Sequence, residues 1–107
     1  MGYTNYYYQE RDFTDDEWKL VVNEADYLKE LGYSVMAGQD MDEILISGDC
    51  EALLLRKQRR TEKHYEDDNL SFGFCKTRMA QYDLAVWYLL CSCNQLLGED
   101  FRIGRDR

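Results

Sequence analysis

Apolar residues recur at helical spacing in two stretches of this chain, and each stretch carries its own stop. Trp18, Val21, Val22, Ala25, Leu28 and Leu31 share one helical face. Thr14 and Glu17 precede that face as a capping box, with Asp15 and Asp16 in the first turn where the helix dipole favours negative charge. Gly32 then ends the run. Tyr82, Val86, Leu89, Cys93 and Leu96 form the second stripe, Ala85, Leu90 and Leu97 widen it, and Gly98 closes it. What lies between and around these helices is too short for further helices. It reads as strands at Tyr6–Gln9, Tyr33–Ala37, Glu43–Ser47, Ala52–Lys57, Leu70–Phe74 and Phe101–Ile103. The strands are too short and too closely spaced for βαβ crossovers throughout. The predicted fold is therefore a single α+β domain spanning residues 1–107. Its expected architecture is two-layered, with an antiparallel sheet of four to six strands carrying both helices on one face. Within that sheet the strands at 52–57 and 70–74 are expected to pair as a hairpin, and the terminal Gly-Arg-Asp-Arg to fray.

Charge is divided unevenly along the chain. Residues 1–55 hold 13 acidic and 3 basic side chains, residues 56–78 hold 4 and 7, and residues 79–107 hold 4 and 3, so −10, +3 and −1 give the net −8. An acidic body with one basic segment argues against duplex nucleic acid as a partner. No apolar run approaches the ~20 residues of a membrane span, and no basic-then-apolar leader opens the chain. The expectation is a cytoplasmic protein that does not engage membranes.

Catalytic signatures are missing. The sequence has no phosphate-binding P-loop, no G-x-S-x-G, no H-E-x-x-H and no dinucleotide fingerprint. His64 is the single histidine, and Cys50, Cys75, Cys91 and Cys93 include no C-x-x-C pair. The cysteines read as reduced, mostly buried thiols, and neither metal nor cofactor is expected.

Three groups of residues could nevertheless bind something. Thr77 reads as the N-cap of the second helix, flanked by Lys76 and Arg78. A helix N-terminus with free N–H groups, a hydroxyl and two cations is a phosphate-sized cradle, and its alternative is an ordinary capped helix start. Tyr3, Tyr6, Tyr7 and Tyr8 could stack on nucleobases or simply pack on a sheet. On the first helix, Asp15, Asp16, Glu17, Glu24, Asp26 and Glu30 could imitate a phosphate backbone or form a plain solvated face. The polar run from Gln58 to Asn69 reads as a loop.

The stretch Phe74-Cys75-Lys76-Thr77 followed by Tyr82-Asp83 resembles a group of small uncharacterised proteins of phages and large DNA viruses, in which a strand leads through such a turn into the last helix. The segments Arg11–Trp18 and Ile46–Leu55 resemble that group's opening helix and middle hairpin. Met79, Ala80 and Gln81 stand where the group tends to carry an arginine followed by Lys-Pro. The resemblance implies a viral protein acting in the host cytoplasm, and small viral proteins without enzymatic activity often act by stoichiometric binding. Two functions fit. In the first, a phosphate-bearing ligand such as a cyclic-nucleotide immune signal is sequestered by Lys76, Thr77, Arg78 and Tyr82, with Tyr6 and Tyr8 stacking the base, in a monomer or in a homo-oligomer that encloses the ligand. In the second, an acidic inhibitor binds a host defence protein through Asp15, Asp16 and Glu24.

Overall fold

The computed structural model describes residues 4–38, 40–59, 72–78 and 80–106. The order of elements is β1 (Thr4–Gln9), α1 (Asp15–Glu30), β2 (Ser34–Met36), β3 (Glu43–Ser47), β4 (Leu53–Arg56), β5 (Phe72–Lys76), α2 (Asp83–Leu97), a short 3-10 turn (Gly98–Asp100) and β6 (Phe101–Asp106). Helix α1 starts as its sequence requires: the Thr14 side chain accepts from the Glu17 N–H, and the Glu17 carboxylate accepts from the Thr14 N–H. Gly32 follows at φ +103°, a left-handed conformation that glycine adopts without steric cost. Leu31, expected on the buried stripe, is instead the cap residue and stands 58% exposed.

The fold is α+β, but the expected single sheet is two. Strands pair in the orders β5-β1-β6 and β2-β3-β4, antiparallel throughout. The hairpin expected between β4 and β5 does not form. Strand β4 pairs with β3 through Ile44 opposite Leu55, while β5 crosses to β1 through Tyr6 opposite Phe74. The two termini thus meet in one sheet, with β1 central and hydrogen-bonded on both edges. Strand β6 also runs beyond Ile103, because Gly104, Arg105 and Asp106 pair with Tyr6, Asn5 and Thr4. The expected fraying is therefore replaced by strand pairing up to Asp106.

Alternation along the strands sends one side of each sheet to a shared core. From β2, β3 and β4 come Val35, Ile44, Ile46, Leu53 and Leu55; from β5 and β6 come Cys75 and Phe101. The helices add Trp18, Val21, Val22, Ala25 and Leu28 from α1 and Ala85, Val86, Leu89, Leu90 and Cys93 from α2. Trp18 also donates its indole N–H to the Met41 carbonyl at 2.8 Å, so a large ring is buried without an unsatisfied donor. Leu70 and Ser71, the proposed Gln58–Asn69 loop from residue 60 onward, His64 and Tyr3 lie outside the described residues.

Candidate functional site

Helix α2 begins at Asp83, six residues after Thr77, and its N-cap is Tyr82, which makes no side-chain cap bond. Thr77 is therefore not the helix cap. Between them the chain turns tightly, with Arg78 at φ +54°. Thr77 is completely buried, and its hydroxyl donates to Asp83 Oδ1. The same carboxylate oxygen accepts from Asn5 Nδ2 at 2.7 Å, and Oδ2 accepts from the Arg105 guanidinium. Arg105 in turn donates through Nε to Asn5 Oδ1 at 2.8 Å and lies 4.7 Å from the centroid of the Trp87 ring. Burial pushes the Asp83 carboxyl up, but the hydrogen bonds from Thr77, Asn5 and Arg105 outweigh it and hold the group below its ordinary range.

This cluster ties β1, the β5 turn, α2 and β6 together at one point. Tyr82 reinforces it from the other side. The ring covers Gly48, where an added Cβ would sit 2.1 Å from a ring carbon, and the hydroxyl donates to the Glu51 carbonyl at 2.7 Å. Neither Thr77 nor Tyr82 thus presents a hydroxyl to solvent. The cleft of ≈ 420 Å³ beside this helix start is lined by Leu31, Gly32, Tyr33, Ser34, Gly48, Asp49, Gln81 and Tyr82, with a carboxylate and no cation among them. The phosphate cradle expected from Lys76, Thr77, Arg78 and Tyr82 acting together does not assemble, because two of its four members hold the turn from inside.

Lys76 belongs to a different surface. Alternation in the β5-β1-β6 sheet turns Asn5, Tyr7, Gln9, Cys75 and Phe101 inward. It turns Tyr6, Tyr8, Phe72, Phe74, Lys76 and Arg102 outward. On that outer face Tyr8 and Phe72 lie 5.1 Å apart, Phe72 and Phe74 5.9 Å, and Tyr6 and Phe72 6.2 Å, between ring centroids. The Arg102 guanidinium sits 4.7 Å over the Tyr8 ring while donating to Glu10. Gly104 lies beneath Tyr6, whose ring occupies the space a Cβ would need at 2.4 Å. Lys76 stands opposite Thr4 at the end of the same face, diagonal to Tyr6 at the ~7–8 Å typical of such positions. Its ammonium makes no ion pair among the described residues. The fold therefore places Tyr6, Tyr8 and Lys76 on one sheet face and adds Phe72, Phe74 and Arg102.

The acidic residues of α1 are dispersed. Asp15 is bound to Lys57, whose ammonium holds the carboxyl below its ordinary range. Asp16 is exposed, and Glu24 accepts from the Tyr88 hydroxyl on α2. Glu17 is engaged by Arg11 through two hydrogen bonds, which bring its pKa down to about 2. Of the cysteines, Cys75 and Cys93 are buried and Cys50 and Cys91 partly so. Burial pushes the Cys75 thiol up to about 12, away from nucleophilic use at neutral pH. Among the described residues no group of three or more His, Cys, Asp or Glu side chains is placed to hold a metal ion. No described helix is long and apolar enough to cross a membrane.

Comparison with family models, with curated proteins and with solved structures finds no match for this chain. Three participants were hidden from sequence reasoning. Arg105 looked like part of a frayed end, and Phe72 and Phe74 looked like strand residues with no face assigned. The alternation Tyr6-x-Tyr8 and Phe72-x-Phe74 was the available signal, since like spacing lets two strands present aromatics on one side.

Proposed function

We propose that the protein is a non-catalytic binder that holds a nucleotide-type ligand on the outer face of the β5-β1-β6 sheet. The observation that carries this reading is the contiguous, solvent-facing array of Tyr6, Tyr8, Phe72 and Phe74 with Lys76 and Arg102 beside it. A nucleobase presents a flat π-face, and stacking on aromatic side chains contributes ~1–3 kcal/mol per base. Phe74, 52% exposed, offers the most open ring for that contact. Phosphate oxygens need charge-assisted donors within reach, which the Lys76 ammonium supplies. The ligand is thus gripped by its base on the aromatic rings and by its phosphate at the Lys76 end. The resemblance to phage and large-DNA-virus proteins supports a use in sequestering a nucleotide signal of the infected host.

Calorimetry with cyclic dinucleotides, cyclic trinucleotides and ADP-ribose derivatives tests the reading. At least one member of that panel should bind the wild type. Phe74→Ala should then weaken it by ~5–150-fold through lost stacking. Lys76→Ala should weaken it ~10–150-fold through the lost phosphate contact. Arg78→Ala, outside the face, should leave it unchanged. Binding that ignores Phe74 and Lys76 but fails on Arg78→Ala would reject the sheet face as the site.

A further inference from the structure

The side of the helix pair that faces away from the core is unexpectedly apolar. Tyr27 on α1 meets Tyr88 on α2 at 6.0 Å between ring centroids. Leu20 lines the same groove as Gln95 and Leu96, so the helices run antiparallel. At the other end of the pair Leu31, the cap residue of α1, lines a cleft with Gln81 and Tyr82, just before Leu84 in the chain. The result is two parallel stripes at coiled-coil spacing, Leu20, Glu24, Tyr27 and Leu31 against Leu84, Tyr88, Cys91 and Gln95. Five of these eight are large apolar residues in water: Leu84 is 68% exposed, Leu31 58%, Leu20 51%, Tyr27 49% and Tyr88 40%. Between the stripes lies a groove of ≈ 440 Å³, bounded by Leu20, Glu24, Tyr88, Cys91, Gln95 and Leu96 among others. Contiguous apolar surface of this kind on a monomer marks an interaction site more often than it marks chance.

The charges around the groove select its occupant. Glu24 stands within the α1 stripe and, at about 100° per residue, Asp16 and Glu30 border it within a right angle. Of the two cations of α1, Lys29 faces the opposite way and Lys19 lies within about 20° of Glu30 around the helix, and α2 contains no Lys or Arg at all. Among the described residues the face therefore combines an apolar seam with three carboxylates, Asp16, Glu24 and Glu30, against one flanking ammonium, Lys19, and the Arg105 guanidinium over Trp87, which Asp83 and Asn5 already hold. A second copy of this chain would bring the same excess of carboxylates to the contact. The complementary surface is an amphipathic helix whose apolar ridge is flanked by Lys and Arg. We propose that this helix-pair face docks a basic amphipathic helix of a partner protein. The sheet-face reading is not a premise of this inference, because the residues involved are separate.

A fluorescein-labelled synthetic helix supplies the probe, with Leu at i, i+3, i+4 and i+7 and Lys elsewhere, titrated by anisotropy at ~150 mM salt, where the Debye length is ~8 Å. The wild type should bind it saturably and should not bind a Leu/Glu peptide of the same pattern. Leu84→Glu and Leu31→Glu each make the protein more acidic, from −8 to −9. Attraction by net charge alone would then tighten binding, whereas docking in the seam should weaken it by ~10-fold or more for each change. Phe74→Ala, on the sheet face, should leave the affinity where it was. Both helix variants sit at exposed positions, and an unchanged far-UV spectrum and melting profile will establish that they fold. Absence of binding by the wild type, equal binding of the Leu/Glu peptide, or unweakened binding by Leu84→Glu would each overturn the proposal. So would a wild-type dimer in sedimentation velocity that Leu84→Glu dissociates, because that result assigns the seam to a second copy.

Discussion

Replacing Asp83 with alanine should be among the most damaging single changes in this chain. Its carboxylate accepts from Thr77, Asn5 and Arg105, and Thr77 and Asn5 are buried to 1% exposure or less. Removing it leaves the Arg105 guanidinium without its counter-charge and two buried donors without an acceptor. Breaking a buried ion pair by deleting one partner costs ~3–5 kcal/mol. The Arg105 side chain keeps 15% exposure and can recover part of its hydration, so the lower end, ~3 kcal/mol, is the expected loss. That is a large share of the ~5–15 kcal/mol that holds a typical domain together. Asp83→Asn retains one acceptor oxygen but sets an amide N–H₂ against the guanidinium, and should cost ~1.5–3 kcal/mol. Arg105→Met combined with Asp83→Leu removes both charges, and should cost less than the sum of the single changes by ~0.5–3 kcal/mol. Urea unfolding at pH 7, followed by tryptophan fluorescence, measures all of these. A loss below ~1 kcal/mol for Asp83→Ala with an unchanged m-value would refute the reasoning, since it would mean that water already serves the three donors.

Acid should destabilise the fold in a defined window. The folded pKa values of Asp83 and Glu17 lie below their ordinary values, that of Glu17 at about 2 against 4.5. Their contribution is therefore complete above the unfolded pKa and lost as pH falls through the folded one. The urea midpoint should stay level from pH 7 to pH 5 and drop between pH ~4.5 and ~2, less steeply in Asp83→Asn. Gly73→Ala and Gly104→Ala place a Cβ 2.3 and 2.4 Å from tyrosine rings, but their costs should differ. Tyr7, over Gly73, is stacked on Phe101 and bonded to the Leu54 carbonyl, so that change should cost ~1–3 kcal/mol in a thermal melt. Tyr6, over Gly104, meets the Cβ with the tip of an outward-facing ring that can swing aside, so its cost should stay below ~1 kcal/mol. Leu89→Ala, at a fully buried position, should lose ~2–5 kcal/mol by urea titration.

Both helices were legible in the sequence because a helix announces itself through residues close in the chain. The Thr14–Glu17 box, the Trp18-to-Leu28 stripe and the Val86-to-Cys93 stripe all depend on local spacing. Strand partners are not local. Phe72–Lys76 can satisfy its hydrogen bonds against β4, its neighbour in sequence, or against β1, some 70 residues away (Tyr6 opposite Phe74). Only the tertiary packing decides, which is why one sheet was expected and two are found. The Thr77 hydroxyl illustrates the same limit within a site. Its chemistry suits a cap, but it faces Asp83 because the chain makes a further turn before the helix begins. Arg105 supplies the opposite example. It follows a glycine near the terminus, where fraying is the default, yet it pairs with Asn5 across 100 residues and is partly buried. Thr77, Tyr82 and Asp83 thus stood out in the sequence for a physical reason, which is internal support for the turn, while Lys76 faces outward. The binding chemistry we propose sits on the adjoining sheet face.

The most direct test of that assignment is a heteronuclear NMR titration of the isotope-labelled protein with the nucleotide that binds it best. If the sheet face is the site, the shifted resonances will be those of Tyr6, Tyr8, Phe72, Phe74, Lys76 and Arg102, including ring protons moved upfield by the stacked base, while Gln81, Tyr82 and Asp83 stay in place. Shifts concentrated at Arg78, Gln81, Tyr82 and Asp83, with the aromatic face unmoved, would contradict it and return the site to the start of the second helix.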